Sequence, residues 1–180
     1  LRSFNERLWQ GARTDLRGAP AKPDAAAGRL EDVLRLLAAI ADALAGAHAL
    51  GVVHCDLKPS NVLLRGGNEP VLVDFGASLL APSGSGARES LQLEGVKRGT
   101  VGYMAPEQLA GGSVDARCDL YALGIIAYEL LTGRPPFTAA GAAGLAEQHR
   151  MLRPPAPSQW VANLPPEMSM VFAARKLDAR

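Results

Sequence analysis

His54-Cys55-Asp56-Leu57-Lys58-Pro59-Ser60-Asn61 puts a carboxylate, an ammonium and a carboxamide into one short loop, and no other stretch constrains the chain as much. Pro59 fixes its own φ at about −65° and disfavours helix at the residue before it, so the loop is stiff and not helical. A hydroxyl attacking a phosphoryl group needs a carboxylate to orient it and accept its proton. It also needs a cation to absorb charge on the transferred oxygens and an oxygen ligand for a bridging metal. Asp56, Lys58 and Asn61 are those three groups in that order, so the loop reads as a phosphate-handling site.

Four fixed positions (His54, Asp56, Lys58, Asn61) would arise by chance in about one chain in a thousand of this length. A second motif, Asp74-Phe75-Gly76, follows 74 − 56 = 18 positions after Asp56. Requiring it there lowers the odds by a further factor on the order of ten thousand, which removes coincidence as an explanation. A third motif is Gly99-Thr100-Val101-Gly102-Tyr103-Met104-Ala105-Pro106-Glu107, and a fourth is Asp119-Leu120-Tyr121-Ala122-Leu123-Gly124.

In this order the four motifs resemble the C-terminal lobe of a eukaryotic-type protein kinase, of the kind that bacteria carry as Hanks-type serine/threonine kinases. The resemblance runs from about Leu1 to Arg180. It implies one domain over 1–180, mainly α with a small β-hairpin component: a protein-kinase-like fold with the C-lobe only. The Gly-rich loop, the strand lysine and its helix glutamate are absent, because the chain starts after the place where the family has them.

Composition bounds the alternatives. A chain of 180 residues, 48% hydrophobic and 21% charged, is long enough for one domain with a core. A net charge of +1 without runs of like charge argues against a dedicated nucleic-acid surface. Cys55 and Cys118 have no metal-site spacing and form no disulfide framework, which predicts reduced thiols. No stretch has the length and apolarity of a transmembrane helix or a signal peptide. The expectation is a cytoplasmic segment without membrane contact of its own, including the case of a cytosolic part of a membrane-anchored parent.

Along the chain, Leu1, Phe4 and Leu8 have helical spacing and resemble the short helix after the hinge between kinase lobes. Residues 10–28, rich in Ala, Gly, Pro and Arg, predict a loop insertion. Leu30, Leu34, Leu37, Ala41 and Leu44 predict a long helix, with Gly51 as its stop. His48, near its end, is expected to be a packed or surface residue. Val62-Leu63-Leu64 and Val71-Leu72-Val73 predict a hairpin that holds Asn61 and Asp74 near each other.

The activation segment spans 74–107, with Pro82-Ser83-Gly84-Ser85-Gly86 predicting mobility. Residues 118–131, apolar nearly all round, predict a buried central helix ended by Gly133. Residues 139–151 predict a further helix, with His149 at the surface. Pro154 to Pro157 predict an extended linker, and 168–176 a last helix.

The resemblance assigns roles. Asp56 would be the catalytic base and Lys58 the contact to the γ-phosphate. Asn61 and Asp74 would hold Mg²⁺ or Mn²⁺, with Leu63 beneath the adenine of ATP. Thr100 would bond the base and the lysine, which implies serine/threonine specificity. His54, Phe75 and Gly76 would be structural. Glu107 would pair with Arg180, and Asp119 would accept backbone N–H bonds from the catalytic loop. The implied reaction is transfer of the ATP γ-phosphate to a protein hydroxyl, by a fragment inactive alone. The alternatives are a pseudokinase or truncated binding module, and a small-molecule phosphotransferase. Cys55 departs from the family, which usually has arginine between His and Asp to pair with an activation-segment phosphate.

Overall fold

The computed structural model describes residues 2–3, 23–66, 69–75, 79–80, 98–161, 164–166 and 168. The expectations for Leu1, 4–22, Gly76, most of the activation segment, 169–176 and Arg180 lie outside these residues. The first helix, α1 (Pro23–Ala49), starts well before Leu30, so the end of the stretch read as a loop is helical. Proline is suited to a helix start, where its missing N–H has no intrahelical partner, and Asp24 followed by three alanines favours the same outcome.

The buried stripe of α1 is Val33, Leu36, Ile40 and Leu44, one step around the helix from the predicted series, and Leu34 is 40% exposed. Both series satisfy a 3.6-residue period, so the packing partner decides between them. Leu36, Ile40 and Leu44 share one core cluster with Leu57, Val62, Leu64, Ala122 and Ile126. Burial of side chains of this size stabilises by about 1.5–3 kcal/mol each. Gly51, with φ 73°, turns the chain as predicted, its N–H donating to the His48 carbonyl at 2.9 Å.

The predicted hairpin is present. Strand β3 (Val62–Arg65) pairs antiparallel with β4 (Glu69–Leu72), in register Val62 to Leu72 and Leu63 to Val71. The other edge of β3 takes a third strand, β1 (Arg2–Ser3), so these two residues are extended and not helical. An open edge presents unpaired N–H and C=O groups, and pairing satisfies them. A separate ribbon joins β2 (Val52–Val53) to β5 (Leu79–Leu80), one strand leading into the catalytic-loop motif and the other following Asp74.

Two single-turn helices, α2 (Arg98–Val101) and α3 (Pro106–Leu109), precede the central helix α4 (Arg117–Thr132). Gly133 caps α4 in the left-handed region at φ 71°, its N–H donating to the Glu129 carbonyl at 2.8 Å. One face of α4 meets α1 through Ala122 and Ile126. Another sends Ile125 into a cluster with Val101, Met104, Leu109, Phe137, Leu145 and Ala146. Leu120 is 55% exposed, so one strip of this nearly all-apolar helix stays outside the core.

Helix α5 (Ala142–Met151) fills most of the predicted 139–151, and Pro157–Gln159 form a 3₁₀ turn that starts at the last proline of the expected linker. The expected surface role of His149 is overturned: the residue is buried. It lies four residues after Leu145 on the inward face of α5, hydrogen-bonded through Nδ1 to the Tyr121 hydroxyl at 2.8 Å and edge-on to Phe137. Among the described residues no helix is long and apolar enough to cross a membrane.

Candidate active site

The catalytic-loop motif lies between β2 and β3, anchored from below by α4. Asp119, buried in the first turn of α4, accepts the His54 N–H on Oδ2 and the Cys55 N–H on Oδ1, each at 2.8 Å. His48 Nε2 donates to the same Oδ2 at 2.8 Å, from the last turn of α1. The structure therefore brings Asp119 to the backbone amides that the resemblance implied. It gives His48 a partner that the sequence did not signal, because the two residues stand 71 positions apart.

His54 is fully buried and bonded on both ring nitrogens. Nε2 donates to the Val73 carbonyl at 3.1 Å and Nδ1 accepts a long 3.4 Å bond from the Asp56 N–H, which fixes the neutral Nε2–H tautomer. The Phe75 ring lies 4.4 Å from the His54 ring, centroid to centroid. The Val73 N–H donates to the Asn61 carbonyl at 2.9 Å, so the residue before Asp74 is tied to both ends of the catalytic loop. Asp74 itself has φ 63°, a left-handed conformation that aspartate tolerates better than most residues.

Around Asp56 the side chains converge. Lys58 Nζ donates to Asp56 Oδ2 at 2.6 Å and to Thr100 Oγ1 at 3.1 Å. Asn61 Nδ2 donates to the Asp56 carbonyl at 2.9 Å and to its Oδ2 at 3.3 Å. With both bonds on its nitrogen, the Asn61 carboxamide has Oδ1 engaged, among the described residues, by a 3.4 Å contact from the Ser60 hydroxyl. That oxygen and the exposed carboxylate of Asp74 are donors of the hard-oxygen kind that suits Mg²⁺ or Mn²⁺. Leu63 is half-buried on β3.

Gln108 and the pair Tyr103–Glu129 are further residues that sequence reasoning passed over. Gln108, buried on α3, bonds the Cys55 carbonyl at 2.8 Å and the Ala105 N–H at 3.0 Å. The Tyr103 hydroxyl donates to Glu129 Oε2 at 2.5 Å. Burial, with the Glu129 carboxylate beside it, pushes the Tyr103 phenol well above its usual range, and burial also raises Glu129. Both cysteines are buried, and neither is joined in a disulfide. A hydrogen bond with Cys55, together with burial, raises the Cys118 thiol strongly.

The family description "Protein kinase domain" matches residues 25–170. Over 130 residues the chain is 48% identical to the serine/threonine-protein kinase Pkn1 of Myxococcus xanthus, covering 70% of this chain and 18% of that protein. It is 46% identical over 126 residues to the serine/threonine-protein kinase PkaA of Streptomyces coelicolor, covering 68% and 22%. With the serine/threonine-protein kinase PknB of Mycolicibacterium smegmatis the identity is 37% over 139 residues, covering 77% and 22%. The chain spans about a fifth of the length of these relatives.

Proposed function

The chain belongs to the protein kinase domain family, and from that premise we propose that it is the C-terminal lobe of a serine/threonine kinase catalytic domain. The full-length protein then transfers the γ-phosphate of ATP to serine or threonine hydroxyls of a protein substrate. One observation carries this reading: Lys58 bridges the Asp56 carboxylate and the Thr100 hydroxyl at 2.6 and 3.1 Å. A carboxylate with an ammonium held beside it is what in-line transfer to a substrate hydroxyl uses.

In this reading Asp56 orients the substrate hydroxyl and accepts its proton, and Lys58 stays charged beside the transferred oxygens. Thr100 keeps Lys58 pointed at Asp56 before substrate arrives. Asn61 and Asp74 hold the divalent cation, whose contribution when bound is to neutralise charge on the phosphate oxygens. Leu63 offers apolar surface to the adenine. Buried His54, stacked on Phe75, packs the residue next to Asp74.

The test uses the purified full-length protein with γ-labelled ATP, Mg²⁺ and a generic serine/threonine-containing protein. Label on serine or threonine, lost on chelation of the metal, is expected. Label found only on a small molecule would favour a small-molecule phosphotransferase, and nucleotide binding without transfer would favour a pseudokinase.

A further inference from the structure

Cys55, the residue before Asp56, has φ 65°. That left-handed conformation costs a non-glycine residue about 1–2 kcal/mol and persists only where the surroundings hold it. Here they hold it from both sides. The Cys55 N–H donates to Asp119 Oδ1 at 2.8 Å, and the Cys55 carbonyl accepts from Gln108 Nε2 at 2.8 Å. That carbonyl belongs to the planar peptide unit joining Cys55 to Asp56, so whatever fixes it fixes the plane from which Asp56 departs.

Gln108 is only 4% exposed, and its Oε1 accepts the Ala105 N–H at 3.0 Å. The opposite orientation of the carboxamide would set oxygen against oxygen and N–H against N–H, so one orientation alone satisfies both neighbours. We propose that Gln108 is a positioning residue for phosphoryl transfer. Its carboxamide clamps the strained Cys55–Asp56 peptide to the Ala105-Pro106-Glu107 segment and so sets the base. This rests on the reading of Asp56 given above. The clamp is neutral and complete within the chain. It ties the catalytic loop to the end of the activation segment through a backbone carbonyl, at the residue where a thiol stands instead of a phosphate-reading arginine.

The competing role is a helix cap, since Gln108 is the third residue of α3 and its oxygen satisfies the amide of Ala105 just before the helix. Gln108→Glu separates the two. A glutamate keeps the acceptor that the cap needs, but once ionised it has no hydrogen to give the Cys55 carbonyl; protonated, it regains one. In the full-length protein, kcat and KM for ATP are measured for wild type, Gln108→Glu and Gln108→Met between about pH 6 and pH 9. Deuterium uptake over 54–57 is followed in the same proteins at matched pH.

The kcat of Gln108→Glu is expected to lie about tenfold below wild type wherever the glutamate is ionised, with KM for ATP within about twofold. Uptake over 54–57 should quicken in step. Gln108→Met should be slow at every pH. A ratio near one throughout with unchanged uptake leaves only the cap and overturns the proposal, as does faster uptake spread over the whole domain. If wild type transfers no phosphate, the kinase reading fails by itself. Uptake then decides the clamp alone: faster exchange confined to 54–57 keeps it, and unchanged exchange removes it.

Discussion

Asp56 carries its carboxylate between a lysine and an asparagine that both donate to Oδ2, which makes it an acceptor fixed in place before any substrate binds. In the full-length enzyme, Asp56→Asn is expected to lower kcat by about two orders of magnitude or more while ATP affinity stays nearly intact, because the base acts in the transition state. Equal turnover of mutant and wild type would remove Asp56 from that role. The motif marked this residue in the sequence. It marked nothing at His149, whose neighbours in the chain are polar while its neighbours in space are Tyr121 and Phe137. Burial lowers the His149 pKa to about 4, against about 6.5 in an unfolded chain. The unfolded state therefore binds the proton first. Stability is full above about pH 6.5 and declines, by on the order of 2 kcal/mol, as pH falls toward 4. His149→Gln keeps an acceptor for the Tyr121 hydroxyl but cannot ionise, so urea midpoints measured at pH 7, 6 and 5 should fall less steeply than in wild type. Parallel slopes would place the acid sensitivity elsewhere.

At the scale of elements, α4 is the platform under the catalytic loop, and Asp119 is its point of attachment. Asp119→Ala leaves the His54 and Cys55 amides without their acceptor in a buried place. An unsatisfied buried donor costs about 1–3 kcal/mol, so the expected loss is about 3–5 kcal/mol by urea denaturation, with catalysis lost alongside. A loss below about 1 kcal/mol would mean that the loop holds its shape without α4. The extents of α4 and the hairpin were legible because a long apolar run with a glycine stop, and two short apolar runs around Arg65-Gly66, permit few other local structures. The start of α1 and the pairing of Arg2–Ser3 were not. Alanine-rich sequence fits loop or helix until it is long enough to propagate, and two residues carry no period. The choice of stripe on α1 likewise depended on what packs against it.

Taken whole, the chain holds the base, the lysine and the metal ligands proposed above, but not the Gly-rich loop and lysine that position the phosphates of ATP in the family. The 180-residue chain alone is therefore expected to show negligible kinase activity, since chemistry of this kind depends on holding both reactants in line. Robust Mg²⁺-dependent phosphorylation by the purified chain would sink that expectation. Regulation belongs to the same scale. With Cys55 in place of arginine, phosphates on Ser83, Ser85 or Ser90 would lack their usual partner. Replacing all three serines with alanine in the full-length enzyme should leave turnover after phosphatase treatment unchanged. A loss of about tenfold, or about 1.4 kcal/mol of transition-state stabilisation, would refute independence from phosphorylation.

The sequence by itself carried the resemblance to the family and the order of its chemical groups, because four motifs holding Asp56, Lys58, Asn61, Asp74 and Asp119 follow one another in an order that chance does not produce. Tertiary structure alone decided how those groups are held. Asp119 reaches the catalytic loop from 64 and 65 positions away, and Gln108 reaches it from 53. The burial of His149 is equally a product of packing. Hydrogen bonds and burial depend on proximity in space, and proximity between residues so far apart in the chain exists only once the helices that carry them have packed.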